Sequence, residues 1–74
     1  NSFKFYPNPL KSSNDLIIKG KDINSVKLYS ILGKKVLDVD YNNINEVKLS
    51  LNDLQSGIYI FKVNNKETSK LVIN

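Results

Sequence analysis

The sequence predicts an all-β protein, a seven-stranded antiparallel immunoglobulin-like β-sandwich that forms a single domain. Apolar and polar residues alternate in nearly every segment, as they do in half-buried strands, and no segment keeps a helical repeat for about ten residues. Clusters of glycine, proline and asparagine interrupt these segments at short intervals, which is typical of sandwiches. The chain has 74 residues, the length of one small domain.

Two short strands are predicted at the start of the chain. The first covers residues 3–6 and ends at the Pro7-Asn8-Pro9 segment. Because proline has no backbone N–H to donate, we expect this strand at a sheet edge. The second strand covers residues 15–19 and is closed by Gly20.

Three strands follow in the middle of the chain. Residues 26–32 and 36–41 form a hairpin whose tight turn contains Gly33, because glycine takes the positive φ that such turns require. The segment 42–45 reads as a polar turn. The fifth strand, residues 46–51, alternates most regularly, with its valine and leucines inward and its lysine and serine outward.

The last part of the chain predicts one helical turn and two strands. The turn precedes Gly57, and Leu54 within it is expected to cover one end of the core. Gly57 leads into residues 58–63, which include Tyr59 and are apolar on both faces, so this strand should be the most central in its sheet. A turn at 64–66 then leads to the final strand, residues 68–73.

Composition excludes several classes of function. The chain has no cysteine, histidine, methionine or tryptophan, so disulfides, Cys/His zinc sites and histidine-assisted nucleophiles are ruled out. Eleven lysines, no arginine and seven acids give a net charge of +4, and the lysines are dispersed rather than clustered. We therefore expect no nucleic-acid partner. No apolar stretch approaches the roughly 18 residues of a membrane span.

Candidate chemical sites are weak. Asp38, Asp40 and Asn42 resemble the start of a calcium loop, but the glycine and glutamate that such a loop requires are replaced by Asn43 and Leu49. The acids lie in or beside turns, where no cleft is expected to hold a catalytic pair. The seven aromatic residues could form a stacking platform, but in so small a domain they are expected to form the core. We expect no enzyme activity and no cofactor, and we assign no metal-binding residues.

Three motifs in a fixed order resemble a known family. They are FYPNP at residues 5–9, VKLYSILGKKV at 26–36 and LSLNDLQSGIYIFKV at 49–63, followed by SKLVIN at 69–74. Together they resemble the type A C-terminal sorting domain of the type IX (Por) secretion system of Gram-negative bacteria. The resemblance extends from about residue 3 to residue 74, which leaves residues 1–2 as a linker remnant.

The resemblance implies an address label rather than a catalyst. Such a domain follows an N-terminal cargo domain of the same chain, and the first residue here, Asn1, agrees with a piece of a longer polypeptide. The cargo passes through the periplasm in transit. The outer-membrane translocon and its shuttle protein then recognise the domain, and a sortase-like cysteine peptidase removes it, so that the cargo ends at the cell surface or is secreted.

The resemblance also assigns roles to individual residues. The family's opening turn matches Pro7, Asn8 and Pro9, its hairpin glycine matches Gly33, and the glycine before its aromatic strand matches Gly57, with Tyr59 in that strand. The terminal segment needed for recognition matches Lys70, Leu71, Val72, Ile73 and Asn74. Because the last strand is expected at a sheet edge, its free backbone groups could bind a partner by strand addition.

Two other functions stay open from the sequence. The chain could be an immunoglobulin-like accessory or carbohydrate-binding module that is retained on a secreted protein, in which case a row of exposed aromatic residues is expected. It could also be a structural stalk or adhesin repeat, for which neighbouring segments of similar sequence are expected.

Overall fold

The alternating segments form five β-strands in a computed structural model, in which residues 3–11 and 14–74 are described. The strands are β1 (Lys4–Tyr6), β2 (Asp15–Ser30), β3 (Lys35–Ser50), β4 (Gly57–Val63) and β5 (Glu67–Ile73). Every pair of neighbouring strands is antiparallel, and all belong to one hydrogen-bonded sheet. The all-β prediction is therefore confirmed. The predicted linker, Asn1-Ser2, lies outside the described residues.

The long strand β2 organises the sheet. β3 pairs with it along nearly its whole length. On its other side, β2 pairs first with β1 and then, nearer its end, with β4. β5 pairs with β4, so β4 has a strand on each side, as its two apolar faces predict, and β1 lies at an edge as its prolines predict.

The prediction of seven strands is wrong, because two of the expected breaks lie inside strands. Gly20 is within β2, and the expected turn at 42–45 is within β3. The pairing shifts register on both sides of the Ile23–Ile44 pair, and Asp22 and Asn43 have positive φ of 57° and 52°. Polar residues and positive φ mark bulges as well as turns. The strands thus continue through one sheet, and a two-sheet immunoglobulin-like sandwich is not confirmed.

A group of asparagine side chains replaces the ladder hydrogen bonds lost at these bulges. The Asn64 carboxamide oxygen accepts from the backbone N–H groups of Asn24 (2.7 Å) and Ser25 (3.2 Å), and its nitrogen donates to the Asp22 carbonyl (3.0 Å). The Asn24 side chain in turn accepts from the N–H of Asn43 at 3.1 Å. Bulged backbone groups need partners of this kind, so the asparagines join β2, β3 and the turn between β4 and β5.

One apolar core lies against the inner face of the sheet. Its fourteen buried members are Leu10, Leu16, Ile18, Ile23, Val26, Leu28, Val47, Leu49, Leu51, Tyr59, Phe61, Val63, Leu71 and Ile73. The rings of Phe5 and Phe61 meet edge to face, with centroids 4.6 Å apart, which attaches β1 to this core. Gly20 makes room for the ring of Phe3, because a Cβ at Gly20 would overlap it. The aromatic residues therefore serve mainly as core, as predicted.

The turns follow their local sequence. Gly33 has a φ of 91°, and its N–H donates to the Ser30 carbonyl at 2.9 Å to close the hairpin between β2 and β3. Asn64 and Asn65 both have positive φ, as a tight hairpin turn requires, and join β4 to β5. Residues 51–56 form turns rather than the predicted helical turn, but Leu54 packs against the core as expected.

Candidate functional site

The outer edge of β5 is covered by the segment that precedes β2. The Val72 N–H donates to the Asn8 side-chain oxygen (3.0 Å), and the Asn8 side-chain nitrogen donates to the Lys70 carbonyl (3.2 Å). The Leu10 N–H donates to the Val72 carbonyl (2.7 Å), and the Asn74 N–H donates to the Leu10 carbonyl (2.8 Å). We call residues 7–10 the strap. Its amide side chain and its backbone together take the place of a neighbouring strand.

The strap changes what β5 can offer to a partner. The expectation of free backbone groups along this strand is wrong for Lys70, Val72 and Asn74, whose groups are paired with the strap. Leu10 has no exposed surface and forms a parallel bridge with Ile73, so the strap is anchored in the core. Strand addition here would have to displace it. The prolines indicated a turn, and nothing in their pattern indicated where Asn8 would point.

The opposite edge of the sheet is unsuited to strand addition. Among the described strands, β3 pairs only with β2, so its outer edge has no strand beside it. That edge is interrupted by the bulge at Asn43 and carries the exposed acids Asp38, Asp40 and Glu46. Bulges and charged residues are the usual devices that keep an edge strand from pairing with another chain.

The predicted recognition residues divide into two sets. Leu71 and Ile73 are buried in the core, with exposures of 0% and 1%. Lys70 and Asn74 are exposed and Val72 is partly buried. Because successive residues of a strand point to opposite faces, the second set is the one that faces away from the core.

The face of the sheet that points away from the core is apolar at its centre. The ring of Tyr29 lies beside Ile60 in the register of β2 and β4, and Ile60 lies opposite Lys70 on β5. On the same face, two residues from Ile60 along β4, Ile58 pairs with Val72 of β5 and is 43% exposed. We call this surface the outer face; it comprises Lys27, Tyr29, Lys35, Ile58, Ile60, Lys62, Lys70 and Val72.

Lysines surround this apolar centre. The Lys62 ammonium lies 5.9 Å from the centroid of the Tyr29 ring, within the range of a cation–π contact. Lys27 is its neighbour on β2 and donates to the Asn65 side chain at 2.9 Å. Lys35 forms an ion pair with Asp38 at 2.8 Å. Their hydrogen bond raises the pKa of Lys35 and lowers the pKa of Asp38, each relative to its ordinary value.

The hairpin between β2 and β3 exposes two large apolar side chains at its tip. Ile31 is 63% exposed and Leu32 is 93% exposed. The sequence predicted both inside a strand, but β2 ends at Ser30. Ser30, the last residue of β2, pairs with Tyr59, so the hairpin tip follows the end of the sheet at which β4 begins. Turns usually carry polar residues, so an apolar tip is unusual.

A polar cleft of about 480 Å³ lies beside the bulges, lined by Phe3, Lys21, Asp22, Asn24, Asn64, Lys66 and Glu67. The amides of Asn24 and Asn64 are already hydrogen-bonded within the fold. Within residues 3–11 and 14–74, no three acidic side chains are grouped where they could hold a metal ion. The asparagines of the cleft therefore connect β2 to β3 and to the β4–β5 turn.

A carbohydrate-binding module would need exposed aromatic rings in a row. Of the described aromatic residues, Tyr6 is the only one whose residue surface is largely exposed, at 45%, and it lies on β1. The remaining rings pack against the core or lie half-buried in the sheet. The structure thus provides no observation in favour of this alternative.

Comparison with known protein families identifies the chain. The family model described as "Secretion system C-terminal sorting domain" matches residues 4–74, which span all five strands. The chain belongs to this family. No curated protein matches the sequence.

Membership confirms the resemblance drawn from the three motifs. A type IX sorting signal implies interaction with the secretion machinery and with a cargo chain, and delivery to the surface or the outside of a Gram-negative bacterium. The family acts as a signal and not as a catalyst. No described segment of the sorting domain forms a helix of the length and apolarity needed to span a membrane.

The motif residues of the sorting domain are distributed over its turns and strand ends. Pro7, Asn8 and Pro9 belong to the strap. Gly33 closes the β2–β3 hairpin and Gly57 begins β4. Tyr59 is buried at 8% exposure, and its hydroxyl donates to the Gln55 carbonyl at 2.8 Å. In the structure, these residues therefore lie in the strap, in the β2–β3 hairpin turn and near the start of β4.

The outer face was not predicted from the sequence. β4 is apolar on both faces, and we interpreted this as the mark of a central strand. The strand is central, but the domain has a single core, so only one of its two apolar faces is covered by that core. The signal that could have found the outer face is therefore the excess of apolar residues on β4, taken together with the short length of the chain.

Proposed function

We propose that the sorting domain is an export address that the type IX translocon and its shuttle protein read on a cargo located N-terminal to it. The cargo passes through the periplasm and is released to the cell surface or the medium. The observation that carries this proposal is the family match over residues 4–74, which includes every strand of the fold.

Within the terminal segment, we assign direct contact with the machinery to Lys70, Val72 and Asn74. Their side chains face away from the core and are at least partly accessible. Leu71 and Ile73 act indirectly, because they are buried and hold β5 in place. Deletion of residues 70–74 would therefore abolish export through two different causes, loss of contact residues and loss of the fold.

We further propose that a sortase-like cysteine peptidase cleaves upstream of β1 and joins the cargo to the cell surface. β1 is paired with β2 and the strap is paired with β5. A peptidase needs an extended chain that can enter its active site, so segments engaged in pairing are poor substrates. Cleavage upstream of both segments would leave the folded domain intact after release.

The test is export of a fluorescent cargo that carries a periplasmic leader and residues 1–74 at its C-terminus. In a bacterium with a type IX system, we expect fluorescence in the medium or at the surface. In a matched strain that lacks the translocon, it should stay in the periplasm. The variant Leu71→Asp, which places a charge in the core, should also stay in the periplasm because it cannot fold.

Cleavage is tested by the mass of the exported cargo. Loss of a C-terminal fragment that begins upstream of residue 4 is expected. Retention of the full domain on exported cargo would contradict the cleavage step alone. Equal retention of the intact fusion in both strains would contradict the proposed function itself.

A further inference from the structure

We propose that the sorting domain docks through its outer face on the protein of the secretion machinery that recognises it, which we call the carrier. We further propose that the carrier presents an apolar ridge bordered by carboxylates. This inference rests on the proposed function and gives it a surface and a partner chemistry. It differs from recognition along the edge of β5, because it uses side chains of four strands rather than the backbone of one.

The register of the strands places the relevant side chains in rows across the sheet. The central row runs across four strands, from β3 to β5, through Lys35, Tyr29, Ile60 and Lys70. On one side of it lie the neighbours Lys27 and Lys62, and on the other side the pair Ile58 and Val72. The apolar centre is thus open at the hairpin end and closed by lysines elsewhere.

The apolar centre has no covering element within the described residues. Ile58 is 43% exposed in the middle of a strand, and Ile31 is 63% exposed at the adjoining hairpin. Single exposed apolar residues are ordinary, but neighbouring ones on one face of a sheet form a patch of the kind found at protein interfaces. The strap covers the edge of β5, so the side chains of this face are the more accessible feature of the strand.

Charge identifies the complementary partner. The outer face carries four lysines. Asp38 forms an ion pair with Lys35 and lies opposite Lys27 in the register of β2 and β3, so Lys62 and Lys70 are the lysines farther from this acid. A second copy of the domain would bring lysines against lysines, which opposes self-association. A carrier with carboxylates around an apolar ridge would match both parts of the surface, and the charges would also raise its association rate.

The proposed function favours a protein rather than a membrane as the partner, because the domain is read by the secretion machinery. Lys62 follows Ile60 on the same face of β4, and Lys70 precedes Val72 on the same face of β5. The Lys62 ammonium lies over the Tyr29 ring, so positive charge and apolar surface are interleaved across the outer face. A protein can present an apolar ridge and carboxylates in a matching arrangement, and we therefore assign a protein surface as the partner.

The decisive experiment reverses charge on the outer face of the fluorescent fusion. The double variant Lys62→Glu/Lys70→Glu is compared with Lys4→Glu/Lys48→Glu, which changes the same net charge at exposed positions on β1 and β3. We expect export by the first variant to fall about tenfold or more, and export by the second to stay within about twofold of the unaltered fusion. The conservative variant Lys62→Arg/Lys70→Arg retains the charge and should be exported normally.

The apolar centre is tested separately with substitutions that suit a strand. Ile58→Thr/Ile60→Thr keeps β-branched side chains and removes apolar surface. Its matched control is Ile17→Thr/Tyr6→Thr, a neighbouring pair on β2 and β1. Only the first is expected to reduce export, again by about tenfold, because a few central apolar contacts dominate an interface. Thermal unfolding of each purified fusion establishes that the variants being compared are equally folded.

Each outcome decides the matter. If the unaltered fusion is not exported, the proposed function fails and the docking surface fails with it. If the unaltered fusion is exported and the outer-face variants are exported as well as their controls, the docking surface is refuted while the proposed function stands. Binding of the purified fusion to vesicles of phosphatidylcholine and phosphatidylglycerol, lost in Lys62→Glu/Lys70→Glu, would refute the protein partner in favour of a membrane surface.

Discussion

At the scale of single residues, Asn64 joins the β4–β5 turn to the bulged part of β2 with one side chain. Its carboxamide serves two backbone N–H groups of β2 and one carbonyl, and its own backbone has a φ of 56°. Asparagine is among the few residues that tolerate this conformation while offering both a donor and an acceptor. Asn64 thus forms part of the turn with its backbone and pairs with the bulged backbone groups of β2 through its side chain.

We predict that Asn64→Ala lowers the free energy of unfolding by about 1–3 kcal/mol, because two backbone N–H groups lose their acceptor. Asn65→Ala is the matched control: Asn65 has a φ of 57° in the same turn, but its side-chain oxygen accepts a hydrogen bond from the Lys27 ammonium rather than from the backbone of β2. Denaturant unfolding followed by circular dichroism measures both. Equal destabilisation by the two variants would mean that backbone strain, and not the hydrogen bonds, explains the loss.

The Lys35–Asp38 ion pair predicts a pH dependence. The pKa of Asp38 is lowered in the folded state, chiefly by its hydrogen bond with Lys35. Its contribution is therefore present above the ordinary aspartate pKa of about 4 and is lost as the pH falls through the lower folded value. Because the pKa of Lys35 is raised, the pair is also maintained until the pH rises above about 10.

We accordingly predict that Asp38→Asn lowers the Tm at pH 7 by a small amount, and that this difference shrinks toward zero as the pH falls below about 4. The effect is small because the pair is exposed. Thermal melts over this pH range measure it, and high salt at pH 7 should reduce the difference as well. A difference that persists unchanged in acid would show that Asp38 acts through packing and not through its charge.

At the scale of elements, the strap is the piece whose role the sequence concealed. A proline-bounded segment predicts a turn, and proline cannot donate to a ladder. The two residues that follow the prolines in alternation, Asn8 and Leu10, provide the missing donors and acceptors, one from its side chain and one from its backbone. Tertiary pairing of this kind depends on where the chain returns, which local sequence does not specify.

We predict that Asn8→Ala accelerates exchange of the Val72 amide hydrogen by about five- to tenfold, the effect of losing one hydrogen bond. The Phe61 amide, in the middle of the sheet, should change much less. Amide hydrogen exchange followed by NMR distinguishes these two sites. Equal acceleration at both would indicate global destabilisation, and no acceleration at Val72 would contradict the strap contact.

The strands themselves show which features can be predicted from sequence. The positions of β1, β4 and β5 agree with the predicted strands to within a residue or so, because clear turn residues bound them. β2 and β3 were each divided in two, because the letters around Asp22 and Asn43 fit a turn as well as a bulge. The choice depends on whether the neighbouring strand bulges at the same level, as it does at the Ile23–Ile44 pair.

At the scale of the whole molecule, the domain is compact for its length. The Cα radius of gyration is 11.3 Å, close to the value of about 11 Å expected for a folded chain of this size. With no cysteine available, stability depends on the single core and on the pairing that closes the sheet. A molecule of this size acts mainly through its surface, which suits a signal that is read by another protein.

Function could be predicted from the sequence further than architecture could. The three motifs indicated the family, because that inference depends on residue identity and order. The covered edge of β5 and the open outer face could not be predicted. The first depends on where the strap returns to the sheet, and the second depends on which face of β4 meets the core. Both are properties of the assembled sheet.

The contact between strap and β5 also relates this fold to the order in which a ribosome makes it. Leu10 is translated well before its partner Ile73, which belongs to β5. The two residues meet only after the intervening strands β2, β3 and β4 have also been made. A fragment that stops before β5 lacks this contact, so its strap has no edge strand to pair with. The strap and β5 can therefore form their shared edge only after both ends of the domain have left the ribosome.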